Sequence, residues 1–345
     1  MKISASVYSN SAYAKAPADR KEKSLEDLVK ELDRYHVDYL HIDCNDDLSV
    51  FEDIARIRKI SKTPIDLHII SSAPEKYFDG IIENGVEYVS FQYENLKKPL
   101  ILCAEMTSQQ VGLAIVSDTS VDVFKEYSHF DFVLMMTTSP GKSGGTFNKN
   151  NFGKIRQFKS LFPDAKVHVD GGVNDEISFV LRNMGVSLVV SGSYLVNADY
   201  MGAALHNLKS DNISSHILVK DFMIGKDESP IIKNNNFAFQ DVLQSIENYN
   251  MGFTMITDDN GKLEGIITNA DVRKGLLKHI GDLNHIDAKK IINRNPAKVN
   301  QNNTVSELLQ MVKSLKFPVL FLPVVDDENK LVGTITFNNL IKGES

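Results

Sequence analysis

The sequence predicts a two-part α/β protein: a closed (β/α)8 barrel, then a smaller α+β module made of a repeated unit. Three observations carry this. Eight short apolar runs alternate with segments of helical spacing over roughly the first 200 residues, the pattern of parallel βαβ units. A stretch starting at Thr257 recurs at Val325, an offset of 68 residues. The chain has 345 residues, 42% apolar and 24% charged, enough for more than one core at about 100–200 residues per domain.

The expected strands are residues 3–7, 39–43, 65–69, 88–91, 111–115, 132–136, 167–170 and 188–191. Each is a short buried-type run of the kind parallel sheets use. Leu25, Leu28, Val29 and Leu32 form one apolar stripe, with Ser24 and Asp27 placed to start that helix. Phe152, Ile155, Phe158 and Lys159 fit a second helix. Eight such units match a compact TIM barrel. An open doubly wound sheet is the structural alternative, but the GxGxxG turn it uses is missing after the first strand. The polar stretch at 207–216 reads as a linker, giving a barrel over 1–208 and a module over 214–345, its copies dividing at about 281/282. In the repeat, Asp258/Asp326, Lys262/Lys330, Leu263/Leu331, Gly265/Gly333, Thr268/Thr336 and Gly275/Gly343 are identical pairs. Each copy reads as strand, turn, strand, helix, preceded by an amphipathic helix at 239–249 or 305–315.

A net charge of −7 and the absence of any dense Lys/Arg run exclude the basic field that nucleic acid or an anionic membrane needs. No apolar run approaches the ~20 residues of a bilayer span, and the first residues carry no apolar signal-type segment. A cytoplasmic location is the expectation. Cys44 and Cys103 are too few for a disulfide framework or a zinc-ligand spacing, so both are expected as free buried thiols.

In a barrel of this kind chemistry sits at the C-terminal ends of the strands. The second run ends in His41 and Asp43, the third in His68, and the seventh in Asp170. Two imidazoles and two carboxylates on three strand ends can converge on one divalent ion, and the donor set suits zinc, iron or manganese. Glycines follow the later strands: Gly141, Gly144 and Gly145, then Gly171 and Gly172, then Gly192 with Ser193. Backbone N–H groups at such turns can hold a phosphate, and tight βα turns alone also need glycine. Gly141–Ser143 imitates the end of a P-loop, but that motif requires glycine where Met136 stands.

On these residues the barrel resembles the ribulose-phosphate 3-epimerase family from Ile3 to about Ala204. ISASVYS resembles its opening strand, with Ser6 as the substrate-contacting serine. HID and DLH resemble its metal motifs, MTTSPGKSGGTF its phosphate loop, VDGGV its second catalytic-aspartate motif and SGS its last phosphate loop. The resemblance implies a divalent metal on His41, Asp43, His68 and Asp170, with Asp43 and Asp170 as the acid–base pair inverting C3 of a ketose phosphate through an enediolate. D-ribulose 5-phosphate/D-xylulose 5-phosphate or a related ketose phosphate would be bound by Ser6, Met136 and the glycine loops. The chain departs from the family pattern at Asn45 and Ile70, where methionines usually wall the site, at Gln92, where FHPE becomes FQYE, and at Lys142, in an expanded phosphate loop. A decarboxylase would need a Lys among the strand-end acids, and none stands beside Asp43 or Asp170.

The repeat resembles a tandem pair of CBS domains. GIITNAD and GTITFNN place Thr268 with Asp271, and Thr336 with Asn339, where that family contacts the phosphate and ribose of an adenine nucleotide. Helix capping alone also accounts for Thr268 and Asp271. The combined expectation is a metal-dependent epimerase, a homo-oligomer, with a nucleotide-sensing regulatory module. The alternative is a catalytically inactive sugar-phosphate and nucleotide sensor.

Overall fold

A computed structural model of the chain describes residues 1–10, 23–140, 145–210, 216–233, 237–279, 281, 286–316 and 319–337. The chain divides into two compact units, Met1–Ile213 and Ser214–Gly343. Among the described residues no helix is long and apolar enough to cross a membrane.

The first unit is a closed barrel of eight parallel strands in sequence order: β1 (Lys2–Ser6), β2 (Tyr39–Cys44), β3 (Ile65–Ile69), β4 (Tyr88–Gln92), β5 (Gln110–Val116), β6 (Phe132–Met136), β7 (Lys166–Asp170) and β8 (Leu188–Ser191). Closure comes from β8 pairing with β1, Lys2 beside Leu188 and Ala5 beside Ser191. The helices are α1 (Leu25–Arg34), α2 (Val50–Arg58), α3 (Phe78–Glu83), α4 (Asn151–Leu161), α5 (Asp175–Asn183), α6 (Ser193–Val196) and α7 (Met201–Lys209). Helix α1 starts as its sequence predicts: the Ser24 hydroxyl accepts the Asp27 N–H, and Leu28, Val29 and Leu32 are buried. On α4, Phe152, Ile155 and Phe158 are buried.

The alternation is less regular than expected. After β4 the chain makes a single 3-10 turn, Tyr93–Asn95, and reaches β5 without a helix. The apolar residues there stand consecutively behind Pro99, not at helical spacing. Leu100 and Met106 are buried, but Ile101 is 80% exposed. After β5 comes a 3-10 helix, Val121–Tyr127, that buries Val121, Phe124 and Tyr127. Apolar residues every third position form one face of a three-residue turn, whereas an α-helix would fan them apart. Cys44 is free and buried as expected, but Cys103, in the irregular connection after β4, is free and only half-buried.

The second unit contains α8 (Val219–Phe222), β9 (Ile224–Gly225), β10 (Ile231–Lys233), α9 (Phe239–Tyr249), β11 (Phe253–Thr257), β12 (Leu263–Thr268), α10 (Asn269–Lys278), β13 (Val299–Asn300), α11 (Val305–Ser314), β14 (Phe321–Val325) and β15 (Leu331–Thr336). They form two sheets, β10-β11-β12 and β13-β14-β15-β9. The sheets do not divide the chain at one point. Strand β9, early in sequence, pairs with β15, and Ala288, late in sequence, packs with Val242, Ile246, Ile256, Ile267 and Val272 on the first sheet. The helix expected after β15 lies outside the described residues.

The two copies meet along a seam in which residues face their own repeat counterparts. Phe253 stacks on Phe321 with centroids 3.8 Å apart, and Lys262 bridges Lys330. The backbone bonds are reciprocal: Leu263 N–H donates to Asn329 and Leu331 N–H to Gly261. Phe253, Met255, Leu263, Ile266, Val325 and Leu331 form a shared apolar core there.

Candidate metal centre and active site

The four residues expected to hold a metal come together. One ligand atom from each of His41, Asp43, His68 and Asp170 lies within 4.8 Å of the others. Strand register does this: Asp43 pairs beside His68, while Asp170 ends β7. His41 Nε2 is 3.4 Å from Asp43 Oδ1 and 3.8 Å from Asp170 Oδ2, and His68 Nδ1 is 3.1 Å from Asp43 Oδ1.

The donor chemistry fits a divalent ion. His41 is fully buried, and its Nε2 has no hydrogen-bond partner. Its other nitrogen, Nδ1, is 2.9 Å from Asp66 Oδ2, which also accepts the Ser4 hydroxyl at 2.8 Å. An ionised carboxylate only accepts, so Nδ1 carries a proton and Nε2 is the nitrogen that faces the cluster. An orphaned buried nitrogen costs free energy unless something occupies it, and a cation among two carboxylates would.

The charges are strongly perturbed. Burial alone would lower the His41 pKa, but the Asp66 and Asp43 carboxylates outweigh it and hold the imidazole well above its usual value. Burial would raise Asp43, yet the adjacent imidazoles of His41 and His68 keep it well below the carboxylate range. Burial would likewise raise Asp66, and the His41 charge holds it down. Asp170 goes the other way: burial pushes it up to about 6 against the opposing pull of His41. His168, two residues before Asp170, is stacked 4.0 Å from Phe132 in the barrel interior, and burial lowers it to about 4. It is a neutral core residue, not a ligand.

Ser6 is buried at the end of β1. Met136, 2% exposed, ends β6 beside Asp170 and packs with Ala114, Phe132 and Leu134. Gly171 and Gly172 both have positive φ, and a Cβ at 172 would sit 2.3 Å from the Phe147 backbone nitrogen. Glycine is therefore required there, and the turn after β7 packs against the end of the loop after β6, where Gly145 stands. Gly192 caps α6 and Ser193 opens it. Gly141, Gly144 and Lys142 lie outside the described residues. The short loop after β2 is tied down by Asp46, which accepts from Ser71, from Tyr77 at 3.1 Å and from Lys76 at 2.8 Å.

In the second unit, Thr268 is the N-cap of α10. Its hydroxyl accepts the Asp271 N–H at 3.2 Å, and the Asp271 carboxylate accepts the Thr268 N–H and hydroxyl at 3.0 and 2.7 Å. The two side chains thus complete a capping box with each other. Thr336 ends β15; Asn339 lies outside the described residues.

Sequence reasoning gave no role to Asp66, Ser4 or Glu94. The available signal was polar residues two apart within buried runs: Ser4/Ser6, His41/Asp43, Asp66/His68, Ser90/Gln92 and His168/Asp170. Alternation puts each pair on one face of its strand, here the barrel interior.

A closed parallel barrel with a His/Asp centre at the rim where its strands end belongs to the class of (β/α)8 proteins that carry their chemistry on strand ends. Comparison with known proteins identifies which. The ribulose-phosphate 3-epimerase family profile matches residues 15–196, and this chain belongs to that family, a family of isomerases. Among curated relatives, the ribulose-phosphate 3-epimerase of Eremothecium gossypii is 31% identical over 159 residues, 45% of this chain and 66% of that protein. Those of Aquifex aeolicus and Methanocaldococcus jannaschii are 29% and 28% identical, covering 52% and 58% of this chain and 86% and 89% of theirs. A CBS domain matches residues 288–344. Among solved structures, the CBS-pair protein CBSX2 from Arabidopsis thaliana is 23% identical, with TM-score 0.31, covering 36% of this chain and 92% of that one. A CBS domain pair solved with 5′-methylthioadenosine and S-adenosyl-L-methionine is 26% identical, also with TM-score 0.31, covering 36% and 94%.

Proposed function

We propose that the barrel inverts C3 of a ketose phosphate, D-ribulose 5-phosphate to D-xylulose 5-phosphate or a closely related pair, and that the C-terminal module senses an adenine nucleotide. The observation that carries the catalytic reading is the convergence of His41, Asp43, His68 and Asp170 within 4.8 Å, with His41 Nε2 bare and buried. These four would hold a divalent ion, zinc, iron or manganese. When bound, the ion supplies Lewis acidity that polarises the ketone and acidifies the neighbouring C–H.

The chain's own groups do the proton work. One of Asp43 and Asp170 takes the C3 proton, leaving an enediolate, and the other returns a proton to the opposite face. Reversing their roles runs the reaction backward. Ser6 and Met136 bound the sugar, and backbone N–H groups at Gly145, Gly171, Gly172, Gly192 and Ser193 hold the phosphate, fixing C3 between the carboxylates. The test is exchange of solvent deuterium into C3 of D-ribulose 5-phosphate and other ketose phosphates by the metal-loaded protein. A metal-loaded chain that exchanges none of them is a sensor, not an enzyme.

For the module, the support is Thr268 and Asp271 side by side at the start of α10, a hydroxyl and a carboxylate suited to phosphate and ribose. A ligand taking them must replace the bonds they make to each other. Calorimetry with AMP and ATP should show Asp271→Ala binding far more weakly than Asn339→Ala; equal effects would contradict the assignment.

A further inference from the structure

His68 presents Nδ1 to the cluster, and what lies behind it decides whether that nitrogen can bind a cation. Its Nε2 is 2.8 Å from Gln92 Oε1. Both residues are buried, at 0% and 1% exposure. The Gln92 amide nitrogen donates to Glu94 and lies 3.4 Å from the Ala114 carbonyl. Glu94 in turn accepts from the Val116 N–H at 3.0 Å and from the Thr119 hydroxyl. Polarity runs one way through this chain. An ionised carboxylate only accepts, so the Gln92 NH2 must face Glu94 and its carbonyl must face His68. That carbonyl can only accept, so His68 keeps a proton on Nε2. Nδ1 faces Asp43 Oδ1 at 3.1 Å, so in the metal-free protein that side of the ring also meets an acceptor, and Nδ1 is the nitrogen a cation would take.

We infer that Gln92 and Glu94 are positioning residues that hold a proton on His68 Nε2, so that a divalent cation is met by Nδ1. The inference rests on the metal reading of the cluster. It assigns to Gln92 a role particular to this chain, at a place where the family pattern has histidine. It also makes the centre symmetrical in logic: Asp66 fixes His41 with Nε2 outward, and the Gln92–Glu94 pair fixes His68 with Nδ1 outward. Such outer partners typically change metal affinity about 10–100-fold.

The test has two readouts. In zinc-loaded native protein, ring ¹⁵N shifts of His68, assigned against His68→Gln, should report a proton on Nε2 and the metal on Nδ1. Zinc affinity, measured by competition with a chelator, should fall about 10–100-fold in Gln92→Met, which keeps the shape and loses the acceptor. Gln92→His, whose ring accepts on one nitrogen and donates on the other, should restore it to within about threefold. Glu94→Gln is an isosteric change at an exposed residue, so folding is not at issue. It lets the Gln92 amide flip, and should weaken zinc binding by less than Gln92→Met does. A zinc-loaded His68 bound through Nε2, or a Glu94→Gln or Gln92→Met protein that holds zinc as tightly as native, would each overturn the inference. Native protein that binds no zinc would instead refute the metal reading beneath it.

Discussion

Zinc binding at the barrel centre should expel protons, and the number expelled should change near pH 6. Metal requires His41 Nε2 unprotonated and Asp170 ionised. In the metal-free protein His41 is held well above its usual pKa by Asp66 and Asp43, so at neutral pH it carries a proton that the metal must displace. Asp170, pushed up to about 6 by burial, adds a second proton only below that value. Affinity should therefore fall about tenfold per unit as pH drops through the neutral range, and about a hundredfold per unit below 6. From pH 7 to pH 5 the loss is about 10³-fold, or about 4 kcal/mol. The assay is chelator competition across this range, with calorimetry in two buffers of different ionisation heat to count protons. In Asp170→Asn the absolute affinity should drop, and the steepening below pH 6 should vanish. Equal affinity at pH 5 and 7, or steepening that survives in Asp170→Asn, would refute the reasoning. The same shifts set metal-free stability. The His41 contribution is complete below its unfolded pKa and is lost as pH rises through its higher folded value. Asp170, raised on folding, favours the fold least once pH passes about 6.

Asp43→Asn and Asp170→Asn should each cut turnover by at least about 10²–10⁴-fold, measured as deuterium exchange into substrate. Phe253→Ala should destabilise the C-terminal unit by about 3–5 kcal/mol, seen in denaturant melts, with zinc affinity at the barrel unchanged. Thr268→Ala should cost about 1 kcal/mol without any ligand present, because its hydroxyl caps α10; a variant as stable as native in the same melts would contradict the capping role.

The barrel was legible because buried parallel strands read as uninterrupted apolar runs, so a polar residue within one stands out. His41, Asp43, His68 and Asp170 could be picked out that way. Asp66 stood out as much, but its bond to His41 depends on β2–β3 register and side-chain rotamers that spacing does not encode. The tautomer logic at Gln92 was hidden for the same reason. The missing helix after β4 is written in Pro99 and the consecutive apolar residues behind it, a local signal at odds with the rhythm of the other units. In the second unit the repeat was plain, but not that β9 would pair with β15, since that exchange joins segments far apart in sequence.

The seam between the repeats has a consequence for how such a unit can arise. Phe253 on Phe321, Lys262 beside Lys330 and the reciprocal bonds of Leu263 and Leu331 are contacts that a single copy could make with another molecule of itself. Joining two copies on one chain turns a bimolecular encounter into an internal one, at an effective concentration of roughly millimolar for a short connection. Pairing then no longer depends on how much protein is present. Each copy is also released from serving as both partners, so one can keep Asp271 while the other carries Asn339, and the two halves can drift toward different work without losing each other.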